Sequence, residues 1–332
     1  MTTEKTHRAQ WLDLANVLAM ACVVWFHIPS AMEVPVWHEE YMAVNAMFFI
    51  LSGCSFGLAL PRYATLRALL RRICRRLVWP TMVMYAVCYV LWLAIGKKLC
   101  GDVAEWYEPL VQFLTGNFTL VLATYWFIVC LIGMQVLQFC LDRMVGNRAA
   151  LAFASGLMPL LTLALGDVDF YRIPEVMAFF PFFSIGTIVC KAHGERSEAL
   201  KRLLCLLAGW CIYFIVTLLA HCPTVYAPLE ALCGVGLCLV VGGASVLSTP
   251  TRRAAWMVST LRYGALVLLA SQNYFIGLCR VLLDRATQEH DFLARHMALK
   301  PMVLIMVYAA TLPVILLIRH FCPQVLGRPA AR

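Results

Sequence analysis

Residues 11–30 read WLDLANVLAMACVVWFHIPS, an apolar run long enough to cross a bilayer and broken by a few polar side chains. Asp13, Asn16, Met20, Val23 and His27 recur at three- and four-residue spacing, which places them on one face of a helix. Asn16 and His27 lie about 20° from full turns of one another and about 16 Å apart along the axis. Polar groups in a membrane helix face protein or water, because lipid leaves them unsatisfied. The stretch therefore predicts a helix lining a polar tunnel, running from Asp13 at one end to His27 in the opposite half. Histidine suits proton transfer, since its pKa of about 6.5 lets it act as base and then acid near neutrality. A second reading stays open, in which His27 sits at headgroup level beside Pro29 and Ser30 and only bonds a carbonyl.

The remainder of the chain agrees with a membrane setting. Its 332 residues are 62% hydrophobic and only 14% charged, and the mean hydropathy is +0.78. A soluble chain carries about 25% charged residues, so these few charges cannot clothe a water-exposed surface. Ten apolar segments are expected, at 14–33, 41–60, 78–96, 119–141, 149–165, 174–190, 203–220, 229–247, 261–283 and 301–318. The first lacks a small-residue cleavage site and is followed at once by another apolar run, so it does not read as a signal peptide. The predicted fold is all-α, a polytopic helix bundle: residues 1–13 precede it, 14–318 form one transmembrane domain, and 319–332 form a tail. The short connections leave no room for a separate soluble catalytic domain.

Charge orients the bundle. Most of the 27 basic residues fall on one side, in the N-terminus, the Arg62–Arg76 connection, the later same-side loops and the tail. Acidic residues such as Glu39, Glu40, Asp102, Glu105 and Glu108 collect on the other side. The positive-inside rule then places both termini in the cytoplasm. The net charge of +9 is mostly a cytoplasmic surface, and it needs no nucleic-acid partner. The 15 cysteines lie mainly inside the apolar segments, where cysteine acts as a small apolar residue. Cys100 and Cys222 lie near the outer face and could pair. No metal-binding CxxC spacing, phosphate-binding Gly loop, HExxH or GxSxG occurs.

Three further features carry candidate chemistry. Residues 66–81 read LRALLRRICRRLVWPT, and Arg72, Arg75 and Arg76 are expected to share a face just ahead of the third span. Guanidinium forks match phosphate oxygens, so this cluster could hold a phosphorylated cosubstrate; anchoring to anionic lipid is the open alternative. Gln272 and Asn273 lie in the centre of the ninth span, where buried amides usually bond a neighbouring helix. Tyr125 and Trp126 in the fourth span could form part of an aromatic belt.

In their order along the chain these landmarks resemble the acyltransferase 3 family of integral membrane acyltransferases. Arg8, Asp13 and His27 match its first-span pattern, and Phe48, Phe49, Ser52 and Gly53 its FF-x-x-SG motif. Arg72-x-x-Arg75 and Arg76-Leu77-x-x-Pro80 resemble the basic lead into the third span. Tyr125-Trp126-Phe127 resembles the WF-containing span, Pro181-Phe182-Phe183-x-x-Gly186 the PFF-x-x-G element, and Ser271 to Leu278 the closing region. Two positions depart: Asn16 stands where the family has a basic residue eleven before the histidine, and Cys279 or Arg280 stands near the place of the closing histidine.

The resemblance implies a bacterial cytoplasmic-membrane enzyme. It would move an acyl group, often acetyl, from cytoplasmic acyl-CoA to a hydroxyl of a cell-surface glycan, glycolipid or similar acceptor. It assigns His27 and Asp13 to catalysis, and Arg72, Arg75, Arg76 and Asn16 to the acyl-CoA donor. Tyr125, Trp126, Gln272 and Asn273 are assigned to the substrate, with no metal. The lipid bilayer is a partner, and a homo-oligomer stays open. Two rivals also stand: a transporter or flippase of a small molecule or lipid-linked sugar, and an inactive relative serving as an envelope partner.

Overall fold

The computed structural model describes residues 2–29, 36–96, 104–116, 120–165, 170–191, 196–219, 228–247 and 251–326. Regular structure among them is helical throughout, with no strand. The long helices are α1 (Thr2–His27), α2 (Val36–Ala59) and α3 (66–96), then α5 (Trp126–Met144), α8 (Ile173–Lys191), α9 (Arg196–Leu219), α10 (Pro228–Leu247), α12 (Ala265–Thr287) and α14 (Lys300–Phe321). Shorter helices lie between them: α4 (Glu108–Thr115), α6 (Arg148–Leu157), α7 (Leu160–Leu165), α11 (Arg252–Tyr263) and α13 (Phe292–Arg295). Cys100 and Cys222 lie outside the described residues.

Helices occupy all ten predicted segments, but they do not all qualify as spans. Seven described helices are long and apolar enough to cross a membrane, and Arg148–Leu163 and Gly234–Ser245 are apolar but shorter. The boundary expected after residue 13 falls inside α1, which runs unbroken from Thr2. Helix formation needs only backbone hydrogen bonds, so the polar lead-in extends the apolar helix without itself entering lipid.

Helix α2 is the axis of the bundle. Within Ala43–Arg62, 83% of the residues are buried, against 22% within the α14 segment. Outer helices instead turn large apolar side chains outward: Val90 is 62% exposed and Ile305 68%. A bilayer covers such faces at no cost. Close packing onto α2 depends on glycines. A Cβ on Gly53 would overlap the Phe183 carbonyl of α8, and one on Gly186 would overlap the Ile50 carbonyl of α2. Two motif fragments distant in sequence thus interlock backbone to backbone, as small residues allow in membranes. Aromatic rings complete the contact, with Phe49 and Phe179 centroids 5.1 Å apart.

Polar side chains also join neighbouring helices by bonding backbone carbonyls. The Thr124 hydroxyl donates to the Leu269 carbonyl (3.0 Å) and the Tyr125 hydroxyl to that of Leu266 (3.1 Å). Tyr308 of α14 donates to the Val17 carbonyl of α1 (3.3 Å).

Candidate active site

One face of α1 walls two adjoining voids. The larger, of about 490 Å³, is lined by Asn16, Val17 and Met20 of α1 together with Arg62, Arg76, Arg262, Tyr308 and apolar residues of α5 and α12. The smaller, of about 20 Å³, is lined by Val23 and His27 of α1 with Asn45, Phe48, Thr124, Trp126, Phe127 and Leu269. Phe48, Phe127 and Leu269 belong to both walls. The Phe48 and Phe127 rings meet edge-on with centroids 4.5 Å apart, a favoured aromatic geometry. They stand where the wide cavity and the narrow chamber share a wall.

The cavity is cationic. Arg62, Arg76 and Arg262 line it, and Arg72 lies within electrostatic reach of all three. Arg72 also packs its guanidinium over the Tyr63 ring, 5.0 Å from the centroid. The expectation that Arg72, Arg75 and Arg76 share one face is corrected by the local backbone. Residues Cys74–Val78 form a wider π-type turn between two α-helical pieces of α3. Such a turn adds a residue to the helical repeat and re-aims the side chains that follow. Both Arg75 and Arg76 are exposed, but only Arg76 lines the cavity.

Asp13 forms an ion pair with Arg262 of α11. It lies fourteen residues from His27 on one helix, about 21 Å along the axis, so it is not a partner of the imidazole. It does not line the cavity itself but pairs with Arg262, which does. The Asn16 amide donates to the Leu12 carbonyl of its own helix (2.6 Å) while the residue lines the cavity.

Among the described residues that line the chamber, His27 is the titratable one. Its Nδ1 contacts the Val23 carbonyl at 2.7 Å. A carbonyl can only accept, so Nδ1 carries the proton there. In the neutral ring Nε2 then holds the lone pair, the form required of a general base. Trp126 walls the chamber beside it. Tyr125 is fully buried behind that wall, with its hydroxyl committed to Leu266.

Adjacent amides on α12 differ in burial, and neither lines a void. Gln272 is fully buried, and neither of its amide atoms finds a hydrogen-bond partner among the described residues. Asn273, one step and 100° further round the helix, is exposed, away from both voids.

Arg62, Arg262, Asn45 and Thr124 were not singled out by the sequence reading. Asn45 carried a usable signal, as an amide inside the apolar run 41–60 comparable to Gln272. Arg62 and Arg262 carried none, since a basic residue at a helix end reads first as a topology marker. No group of three or more metal-ligating side chains occurs among the described residues.

A polytopic helical protein with a cationic cavity beside a histidine chamber is thereby defined. A model of the acyltransferase 3 family, described as an acyltransferase domain, matches residues 9–320. The chain belongs to that family, which covers nearly its whole length. Neither a curated protein nor a solved structure matches it.

Proposed function

We propose that this membrane acyltransferase moves an acetyl group from cytoplasmic acetyl-CoA to a hydroxyl of a cell-surface glycan or glycolipid. The observation that carries the reading is the single α1 face that runs from the arginine cavity to the His27 chamber. In this reading the basic side chains mark the cytoplasmic side, ten spans cross the bacterial cytoplasmic membrane, and both termini are cytoplasmic.

Arg62, Arg76 and Arg262 would hold the phosphates of the donor as charge-assisted forks. The thin pantetheine arm would follow Asn16 and Met20 past Phe48 and Phe127 and bring the thioester to His27. The acceptor hydroxyl enters the chamber from the opposite side. His27 Nε2 takes its proton as the oxygen attacks the thioester carbon. The tetrahedral intermediate collapses, expels the CoA thiolate, and the imidazolium returns the proton to sulfur. Ester and free CoA are the products, and His27 ends neutral.

The chamber supports a short acyl group. Its about 20 Å³ corresponds on this measure to one or two water-sized positions, which suits a two-carbon group better than a longer chain.

Purified protein incubated with radiolabelled acetyl-CoA and envelope glycans should yield labelled glycan. Absence of label together with substrate flux in proteoliposomes would replace this reading with transport. Absence of both signals would leave a non-enzymatic envelope partner.

A further inference from the structure

Asn45 lies on the central helix α2, two residues into the well-buried part of that helix, and is itself only 5% exposed. It lines the same chamber as His27. Its Nδ2 finds no hydrogen-bond partner among the described residues. An amide buried without a partner costs about 1–3 kcal/mol, and more where neither lipid nor protein offers a replacement. The neighbouring polar groups do not relieve it. Thr124 commits its hydroxyl proton to the Leu269 carbonyl. His27 directs its Nδ1 to the carbonyl of its own helix.

Hydrogen-bond capacity in the chamber is therefore asymmetric. His27 Nε2, unprotonated in this tautomer, and the Thr124 oxygen are acceptors. Asn45 offers N–H groups that no described residue uses. Acyl transfer creates a need for such a donor. As the acceptor oxygen bonds to the thioester carbon, the carbonyl π pair moves onto oxygen and leaves a full negative charge. In a narrow, water-poor space a preorganised neutral donor stabilises that charge far more than it would in water.

We propose that Asn45 is the oxyanion donor of this site: its Nδ2–H bonds the thioester carbonyl oxygen as that oxygen becomes charged. The atoms balance without a further reactant. The C–O bond to the acceptor forms, the C–S bond breaks, and the proton travels from the acceptor through His27 to sulfur. Asn45 gives up no proton and returns unchanged. Its assigned position explains why α2 keeps an amide where the surrounding run is apolar. Close packing of α2 against α8 through Gly53 and Gly186 holds that amide on the most buried of the candidate spans among the described residues.

This inference rests on the acyl-transfer reading, and the experiment separates the two. Wild type, His27→Ala, Asn45→Ala and Asn45→Ser are compared for labelled-acetyl transfer, CoA binding and thermal melting in detergent. Wild-type transfer that is lost in His27→Ala establishes the reading on its own. Asn45→Ala is then expected to lower kcat about 10²- to 10³-fold, with KM for acetyl-CoA within about twofold and the melting midpoint unchanged. Asn45→Ser keeps a donor on a shorter arm and should recover part of the lost rate. A kcat in Asn45→Ala close to wild type overturns the proposal while leaving the reading intact. So does a loss of rate that follows a lowered melting midpoint and is not recovered by serine, because that marks a packing role. A wild type that transfers no acetyl group overturns both.

Discussion

The cavity at the arginine end holds about 490 Å³ and the chamber at His27 about 20 Å³, though one face of α1 walls them both. Three arginines line the first. Aromatic rings wall the second, and His27 is the titratable side chain among its described lining residues. Binding a polyanion and moving a proton make opposite demands on their surroundings. Phosphates need many forks and tolerate water, whereas a base and an oxyanion donor act best where water is excluded. In the proposed reading the protein meets both by separating them along a helix, with Phe48 and Phe127 between. The division predicts that chamber substitutions change kcat and cavity substitutions change KM.

The largest expected effect lies in the chamber. His27→Ala removes the proton acceptor, and transfer should fall about 10²- to 10⁴-fold with expression and membrane insertion intact. Retained activity would dissolve the distinction between the two regions. Trp126→Ala probes the chamber's size instead of its chemistry. Enlarging that wall should improve butyryl-CoA relative to acetyl-CoA by about tenfold, the scale at which a pocket discriminates by single methylenes. An unchanged ratio of kcat/KM for the two donors would locate acyl-length selection elsewhere.

The comparison also shows what the sequence could and could not convey. The α1 stripe was legible because helical spacing is a local property: Asn16, Met20, Val23 and His27 all wall the voids. The interlocking of Gly53 with Phe183 and of Gly186 with Ile50 was half legible. Both glycines stand inside quoted motifs, but their pairing is a tertiary fact that no local pattern encodes. Asp13 was grouped with His27 by the family resemblance, although the stripe itself puts them at opposite ends of the helix. Its partner Arg262 comes from α11, almost 250 residues later in the chain. The arginine face was misjudged because ideal α spacing was assumed where Cys74–Val78 takes a wider turn.

In the cavity the effects should be smaller and confined to KM. Arg76→Ala is expected to raise KM for acetyl-CoA about fivefold, the scale of one partly exposed charge pair, with kcat unaffected. Raising the salt concentration should shrink the difference, since exposed charges are screened within about 10 Å at 0.1 M ionic strength. A fall in kcat with KM unchanged would instead place Arg76 in the chemistry.

The smallest expected effect is the sharpest test of the cavity. Arg75 and Arg76 are consecutive, equally charged and equally suited to anionic lipid. If this basic stretch only anchors the helix end, Arg75→Ala and Arg76→Ala should be indistinguishable in kinetics and in membrane association. The geometry separates them, since both are exposed but only Arg76 lines the cavity. Arg75→Ala should therefore leave KM for acetyl-CoA within about twofold of wild type, the modest change expected of a surface charge with no bound partner. Equal rises in both variants would mean that the donor reads the total charge of the stretch instead of the side chains in the cavity. The phosphate site would then belong to the open cytoplasmic face of α3. Arg72 supplies the third point of the series, since it lies beside the cavity arginines but packs on Tyr63. Its replacement by alanine should fall between the other two, because it contributes field to the cavity without a fork inside it.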